Sequence, residues 1–311
     1  MSQNIQILSS RERNDIKPEQ QAIQSLTQHF SFEMLPAEII KPPSLANIHP
    51  DTRIFIPRLP KGDFDSVVSA ATKLRKMGFA PVPHLAARTI QSAFHLDEML
   101  RRLTQEADIQ EVLLVAGSQE RAAGDFENTL QLLKTGLLAK HNIKRIGVAG
   151  HPEGHPQASA EALRLALAEK NLYATQSGAH VYLVTQFFFD AAPVIAWERR
   201  IRGEGNLLPI QIGLHGVTSI TSLARHAAAC GVGASMKLLM RQSTNILQMA
   251  SLRTPDRLLS DIALAIRADP ASLFRGVHYF PLGGLAKTID WATAIAAGRF
   301  ALKNGGLTLG G

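Results

Sequence analysis

Polar side chains that suit proton transfer interrupt two of the apolar runs in the sequence. Glu33 lies with Ser31 in an otherwise apolar run, and His84 ends a later run after two prolines. A carboxyl group in such a run would be largely desolvated, which raises its pKa and suits it to donate a proton near neutral pH. The alternative is a carboxylate paired with a basic neighbour for structural reasons. Glu33 alone leaves both interpretations open.

Other polar residues lie at or just after the ends of later apolar runs. They are His151, His155, Gln186, His215 and Lys287. Each alone is more often a satisfied structural group than a member of a site, but their shared position favours a functional interpretation. A metal site is not expected, because His151 and His155 lie in a Pro- and Gly-rich loop rather than on a helix. A serine hydrolase is not expected either, since the G-x-S-x-G elbow is missing.

The apolar runs alternate with helical patterns. Most runs are continuously apolar, which is typical of parallel strands buried on both faces. Strands are predicted over 29–35, 53–59, 80–86, 111–117, 145–150, 181–189, 208–213 and 276–282. Helices are predicted over 63–77, 96–107, 126–141, 160–172, 191–203, 220–229 and 285–302, with two more segments within 235–269.

Eight strand–helix units predict an α/β fold of the (β/α)8 TIM-barrel type. The alternative, an open doubly wound sheet, predicts a G-x-G-x-x-G turn after an early strand, and none is present. We expect a polar N-terminal extension over residues 1–28, followed by one barrel catalytic domain over 29–311. In such a barrel the chemistry gathers at the carboxyl ends of the strands, where the polar residues above are predicted to lie.

Composition narrows the class of protein further. Of the 311 residues, 45% are hydrophobic and 19% charged, which suits a globular chain with a sizeable core. No apolar run is long enough to cross a membrane, and the first thirty residues lack a secretory h-region. Cys230 is the single cysteine, so a disulfide framework is excluded. These features predict a soluble, cytoplasmic protein.

The net charge of +7 raises the question of nucleic acid as a partner. The basic residues are spread over separate amphipathic helices, and no nucleic-acid-binding motif accompanies them. Solvated helix faces explain these clusters better. A small anionic substrate is therefore the expected partner, with no nucleic acid and no membrane.

Six blocks at the ends of the predicted strands occur in the order of a known family. They are 31–36 (SFEMLP), 83–85 (PHL), 115–117 (VAG), 148–156 (VAGHPEGHP), 185–190 (TQFFFD) and 276–278 (GVH). With these blocks the chain resembles the methylenetetrahydrofolate reductase family. Its members are flavin-dependent barrels that interconvert methylene- and methyl-tetrahydrofolate using a nicotinamide cofactor.

The resemblance implies roles for individual residues. Glu33 matches the family's proton donor to the N5/N10 region of the folate, as a catalytic residue. The implied substrate-binding residues are Gln186, Ser118 and Phe188. The cofactor-binding residues expected for NAD(P)H and for the family's FAD are His84, Gly117, His151, His155, Lys287 and Arg58. Of these, His84 and His155 match flavin-contacting positions of the family. His151 stands where the family has a tyrosine, and Arg58 and Lys287 are expected to replace cations that the chain has lost.

One departure from the family concerns the flavin. The family has Arg-Gly-Asp after the fourth strand, where this chain has Ala116-Gly117-Ser118. The arginine that would meet the flavin phosphate and the aspartate that would assist the folate are both missing. Either FAD is held through other cations, such as Arg58, Arg88 and Lys287, or hydride passes directly between nicotinamide and folate.

A third hypothesis is a folate-binding or regulatory barrel that has lost catalysis. Retention of both Glu33 and Gln186 argues against it, because a binding protein has less need of a buried acid. The choice between NADH and NADPH stays open, as does the choice between a monomer and a homo-oligomer. The direction also stays open, including an oxidative one in one-carbon catabolism.

Overall fold

A closed barrel of eight parallel strands forms the centre of the molecule, so the predicted (β/α)8 TIM barrel is confirmed. The computed structural model describes residues 17–58, 62–229, 252–303 and 306–309. The barrel strands are β1 (Ser31–Glu33), β2 (Arg53–Ile56), β3 (Ala80–Ala86), β4 (Glu111–Val115), β5 (Arg145–Gly150), β6 (His180–Thr185) and β7 (Ile210–His215). Two short strands, β8 (Thr218–Ser219) and β9 (Leu252–Arg253), pair with each other, and β10 (Phe274–Phe280) closes the barrel against β1.

One helix precedes β1, and the other helices lie between the strands or after β10. The helices are α1 (Pro18–Thr27), α2 (Pro36–Ile40), α3 (Phe64–Lys76), α4 (Ala93–Ala107), α5 (Thr129–Lys134), α6 (Leu137–Lys140), α7 (Ala160–Ser177), α8 (Ala191–Gly203), α9 (Ile220–Ala229), α10 (Asp256–Ala268) and α11 (Leu285–Ala296). Helices α3, α4 and α7 have N-caps just before their first residues. These are Asp63, Ser92 and Ser159, and the side chain of each accepts a hydrogen bond from a backbone N–H of the first turn. Such caps fix where a helix begins.

Glycines explain two of the differences between the predicted helices and the structure. The segment 126–141 forms two short helices, α5 and α6, because Gly136 between them has a φ of 72°. The segment 285–302 ends at Ala296, and Gly298 follows with a φ of 73°. A positive φ suits glycine and ends a helix. Beyond it, β11 (Phe300–Lys303) and β12 (Gly306–Leu309) form a hairpin.

Some sequence-based expectations concern residues outside the described ranges. Cys230 and the first helical segment expected within 235–269 fall in 230–251, and the end of the strand expected at 53–59 falls in 59–61. The second expected segment corresponds to α10. Within the described ranges, no helix combines the length and the apolar character needed to cross a membrane.

Helix α1 lies in the stretch expected as a polar extension. Its Ile23 and Leu26 are buried in the main core, and it packs against α10 and α11. The Ser260 hydroxyl of α10 donates a hydrogen bond of 2.6 Å to the Glu19 carboxylate. The helix thus covers the barrel next to β1 and β10.

The barrel wall separates two apolar clusters, because side chains alternate between the faces of a strand. Residues that point outward join the main core between strands and helices. A smaller cluster inside the barrel contains Phe55, Val82, Leu113, Tyr182 and Val184. Near the amino-terminal ends of the strands, Glu111 accepts a hydrogen bond of 2.6 Å from the Tyr182 hydroxyl. It also pairs with Arg53 at 3.4 Å and Arg145 at 3.2 Å.

Candidate active site at the mouth of the barrel

The Glu33 carboxyl group lies at the carboxyl end of β1. Phe32 points outward into the main core, so its neighbours Ser31 and Glu33 point into the barrel. The Glu33 side chain is 21% exposed, and its Oε1 lies 3.7 Å from His84 Nε2. On its other side, His278 Nε2 lies 3.8 Å from the same oxygen. Strands β1, β3 and β10 therefore bring one acid between two imidazoles.

Burial controls the charges of these three groups. It raises the pKa of Glu33, and His84 and His226 oppose the shift by favouring the carboxylate. Burial lowers the pKa of His84 to about 4 and that of His278 to about 3. Both imidazoles are therefore neutral near pH 7, and the protonated form of Glu33 is favoured more than in an ordinary carboxyl group. This state suits a general acid.

His278 is held in place from behind by Ser31. Its Nδ1 lies 2.9 Å from the Ser31 hydroxyl, and its ring packs 4.4 Å from the Phe55 ring. Within the described residues, neither His84 Nε2 nor His278 Nε2 has a hydrogen-bond partner. When Ser31 donates to Nδ1, Nε2 of His278 carries the ring hydrogen and faces Glu33.

His278 was not among the residues expected in the site. It belongs to the Gly276-Val277-His278 block, and its signal in the sequence was a histidine inside an apolar strand. The sequence alone did not give the register of β10 against β1. In the structure Ser31 is paired with His278.

Gln186 follows β6 directly and is hydrogen-bonded to the His151 side chain, which follows β5. Burial lowers the pKa of His151 to about 4, helped by the nearby Lys170. The His151 ring lies 5.0 Å from that of His155, whose Nδ1 accepts the backbone N–H of Gln157 at 3.1 Å. The structure thus places Gln186, His151 and His155 in one group.

The loops after β4 and β5 are joined by Arg88. Its Nη1 donates to the Gln119 carbonyl at 2.9 Å and to Gln157 Oε1 at 2.8 Å. Gly117 has a φ of 98°, and a Cβ there would lie 2.8 Å from Gln119 Oε1. Ser118 is exposed in the same loop. Only glycine fits this turn without strain.

Three expected site residues lie elsewhere. Arg58 donates to the Gly62 carbonyl and to the Thr89 hydroxyl, both at 3.3 Å. Lys287 is exposed on α11, beside a separate cavity of about 430 Å³. Phe188 is 1% exposed in the main core, which leaves almost no surface for a ligand. The structure does not bring these three residues to Glu33.

Aromatic rings form a wall at the mouth. Phe280 lies 4.7 Å from the His278 ring and 5.8 Å from Phe187, and Phe189 lies 5.8 Å from His215. His215 is 4% exposed, and burial lowers its pKa to about 4. A wall of neutral rings suits a flat heterocycle. Within the part of the chain that the structure describes, no cluster of three or more His, Cys, Asp or Glu could hold a metal ion.

The fold defines a (β/α)8 barrel protein, and its candidate site lies at the carboxyl ends of the strands. The sequence profile of the methylenetetrahydrofolate reductase family matches residues 63–245, more than half of the chain. The chain therefore belongs to the methylenetetrahydrofolate reductase family, as the strand-end blocks predicted.

One sequence relative and one structural neighbour are similar to the chain. Over 164 residues it is 26% identical to methylenetetrahydrofolate reductase 2 of Saccharomyces cerevisiae, a match that covers 50% of this chain and 27% of the yeast protein. The chain thus matches about a quarter of that relative. An uncharacterized protein from Clostridium thermocellum, described as binding two copies of 5-methyl-5,6,7,8-tetrahydrofolic acid, shares the fold with a TM-score of 0.56. It is 13% identical, and the superposition covers 89% of this chain and 97% of that one.

Proposed function

We propose that this chain is a methylenetetrahydrofolate reductase-type oxidoreductase that interconverts 5,10-methylene- and 5-methyl-tetrahydrofolate with NAD(P)H. Membership of the family supports the reaction type. The folate described in the Clostridium thermocellum barrel supports the substrate class. The observation that carries the proposal is the Glu33 carboxyl group, whose pKa is raised by burial between two neutral imidazoles.

In the reductive direction, Glu33 donates its proton to N10 of methylenetetrahydrofolate, and the bond between N10 and the one-carbon unit breaks. Hydride from the nicotinamide then adds to that carbon, which becomes the methyl group on N5, and NAD(P)H becomes NAD(P)+. The carboxylate regains its proton from water. In the oxidative direction each step is reversed, and Glu33 accepts the proton.

The neighbours of Glu33 keep this proton available. Because His84 and His278 are neutral near pH 7, they provide polar neighbours without a full positive charge that would hold Glu33 ionised. In this proposal Gln186 and Ser118 contact the folate, and Gly117, His151 and His155 lie on the cofactor side. The aromatic wall covers the pterin ring.

The three cations expected to replace the lost arginine are not available for the diphosphate of FAD. Arg88, the cation that joins the loops after β4 and β5, already donates to two oxygens of these loops and, through Nε, to the Glu127 carbonyl at 3.1 Å. Arg58 is engaged with Gly62 and Thr89, and Lys287 borders a different cavity. We therefore propose direct hydride transfer between nicotinamide and folate.

The test is oxidation of NADH or NADPH that depends on methylenetetrahydrofolate. Glu33→Gln keeps the shape of the side chain but removes the proton, so kcat should fall by about a hundredfold or more. Glu106→Gln is the matched control, because Glu106 lies on the outer face of α4 and pairs with Arg102. Folate binding without turnover in the unsubstituted protein would instead support the regulatory barrel. The visible absorption spectrum tests the cofactor: flavin bands in the purified protein would overturn direct transfer.

A further inference from the structure

A second cavity lies outside the barrel wall, between α7, α8 and the loop after β5. Its volume is about 460 Å³, and its apolar walls include Leu167, Leu183, Trp197 and Ile201. Leu183 points away from the barrel interior, since Tyr182 and Val184 beside it belong to the inner cluster. Folded proteins leave few voids much larger than a water molecule in such layers. A cleft of this size between strands and helices has room for a small ligand.

Lys170 gives this cavity its chemical character. The residue is 8% exposed and is the buried residue of α7. Within the described residues it has neither an ion pair nor a hydrogen bond, and burial alone lowers its pKa to about 8. Lysines are almost never buried without a partner, because an unpaired ammonium group loses its hydration.

The other charges around the cavity are already neutralised within the protein. Arg164 pairs with Glu161 at 2.6 Å, and Arg200 pairs with Glu204 at 3.5 Å. Glu153, on the loop, also lines the cavity and has an interaction of its own, but the described residues show no bond between it and Lys170. Lys170 is therefore the cation of this cavity for which the described protein supplies no counter-charge.

The walls indicate what else the occupant must offer. Trp197 packs closely against the end of β5, since a Cβ on Gly150 would lie 3.2 Å from its ring. The leucines and Ile201 supply only apolar contacts. A flat or hydrocarbon body fits such walls, and one anionic group would meet Lys170.

We propose that this cavity is a second ligand site, which binds a small amphiphilic anion with its apolar body against Trp197 and its anionic group on Lys170. The cavity lies on the outer side of β5 and β6 and adjoins the mouth through the loop after β5, because His151 and His155 also line it. It takes carboxylates or sulfonates that carry an aromatic or hydrocarbon body.

The probe for the test is 1-anilinonaphthalene-8-sulfonate, which combines a naphthalene body with one sulfonate. The protein has two tryptophans, so Trp291→Phe leaves Trp197 as the sole donor for energy transfer to the bound probe. We expect saturable binding of one probe molecule per chain with energy transfer from Trp197. The absence of saturable binding would overturn the proposal.

The charge on Lys170 is tested by Lys170→Met, which keeps the length of the side chain. We expect the dissociation constant to rise at least tenfold, equivalent to about 1.4 kcal/mol. Lys144→Met makes the same change of net charge at an exposed site before β5 and should bind as the unsubstituted protein does. Equal binding by both variants would refute the role of Lys170.

Two further measurements separate a ligand site from a structural role. Without probe, Lys170→Met should unfold at the same or a higher denaturant concentration, because it removes an unpaired buried charge. A lower midpoint would mean that Lys170 serves the fold. In the unsubstituted protein, trinitrobenzenesulfonate reacts with neutral amines and should label Lys170, as mapped by peptide mass. Prior addition of the naphthalene probe should slow this labelling, and unaltered labelling would contradict the proposal.

Discussion

Acidification should destabilise this protein well above the pH at which carboxylates titrate. His84, His215 and His278 are at most 8% exposed, and burial lowers their pKa values from 6.5 to about 4, 4 and 3. In the unfolded chain they regain ordinary values near 6.5. Between the folded and the unfolded pKa values, the unfolded state therefore binds more protons than the folded state. The stability that is present above about pH 6.5 is lost as the pH falls.

The magnitude follows from the linkage between proton binding and folding. Each of the three histidines costs about 1.4 kcal/mol of unfolding free energy between about pH 7.5 and about pH 5.5. Together they amount to about 4 kcal/mol, and His151, whose pKa burial also lowers to about 4, raises the loss to about 5–6 kcal/mol. This is a large part of the typical 5–15 kcal/mol stability of a domain. Glu33 acts in the opposite sense: its folded pKa is raised, so acidification restores some stability and offsets part of the loss.

The assay is urea unfolding at the two pH values and constant ionic strength, followed by far-UV circular dichroism. His278→Asn should reduce the loss by about a quarter, since one of four titrating histidines is gone. Glu33→Gln should increase it by removing the offset. His29→Gln is the matched control, because His29 is exposed before β1. A loss below about 1 kcal/mol, or equal losses in the His278 and His29 variants, would refute the reasoning.

Three other outcomes are expected. Tyr182→Phe removes the hydroxyl bonded to the buried Glu111 at 2.6 Å, so unfolding free energy should fall by about 1–3 kcal/mol while turnover is unchanged. Gly213→Ala would place a Cβ 2.7 Å from the Gln186 carbonyl; we expect a stability loss of about 1–3 kcal/mol and a higher KM for folate. Because the reduction needs protonated Glu33, kcat/KM for methylenetetrahydrofolate should decrease as the pH rises through its raised pKa, and Glu33→Gln should abolish that dependence.

Controls for the first two outcomes lie on the surface of the same barrel. Tyr173 on α7 is only half-buried, so Tyr173→Phe should leave stability within about 0.5 kcal/mol. A Cβ added at Gly203, at the end of α8, would meet no described atom within 4 Å, so Gly203→Ala should not alter KM. Equal effects of the paired variants would contradict the assigned contacts.

The barrel was predictable because its strands are apolar on both faces and its helices are amphipathic. Continuous apolar runs therefore alternate with helical patterns along the sequence. Helix ends were less predictable. Gly136 and Gly298 end helices through positive φ values, and a glycine within an apolar pattern does not reveal its φ. The hairpin of β11 and β12 was missed for this reason, since the helical pattern continues past Gly298.

The site was predictable in part. Alternation along β1 sufficed to place Glu33 in an apolar setting, but its partners depend on strand order and stagger. His278 faces Glu33 only because the last barrel strand pairs with the first. Arg58 and Lys287 were expected in the site because each lies near a strand end in the sequence. In the structure, Arg58 bonds to its own loops and Lys287 lines another cavity.

The interior of the barrel explains why the acid at its mouth is short of water. Glu111, Arg53, Arg145 and Tyr182 bond to one another near the amino-terminal ends of the strands, which closes the barrel from below. The inner apolar cluster lies above them, and Ser31 with His278 lies above Phe55. Within the described part of the chain, these layers leave the mouth as the side from which water reaches Glu33, and a folate would bind on that side. A bound pterin would close that side as well, so substrate binding itself should raise the pKa of Glu33 further and favour the protonated acid that the reduction needs.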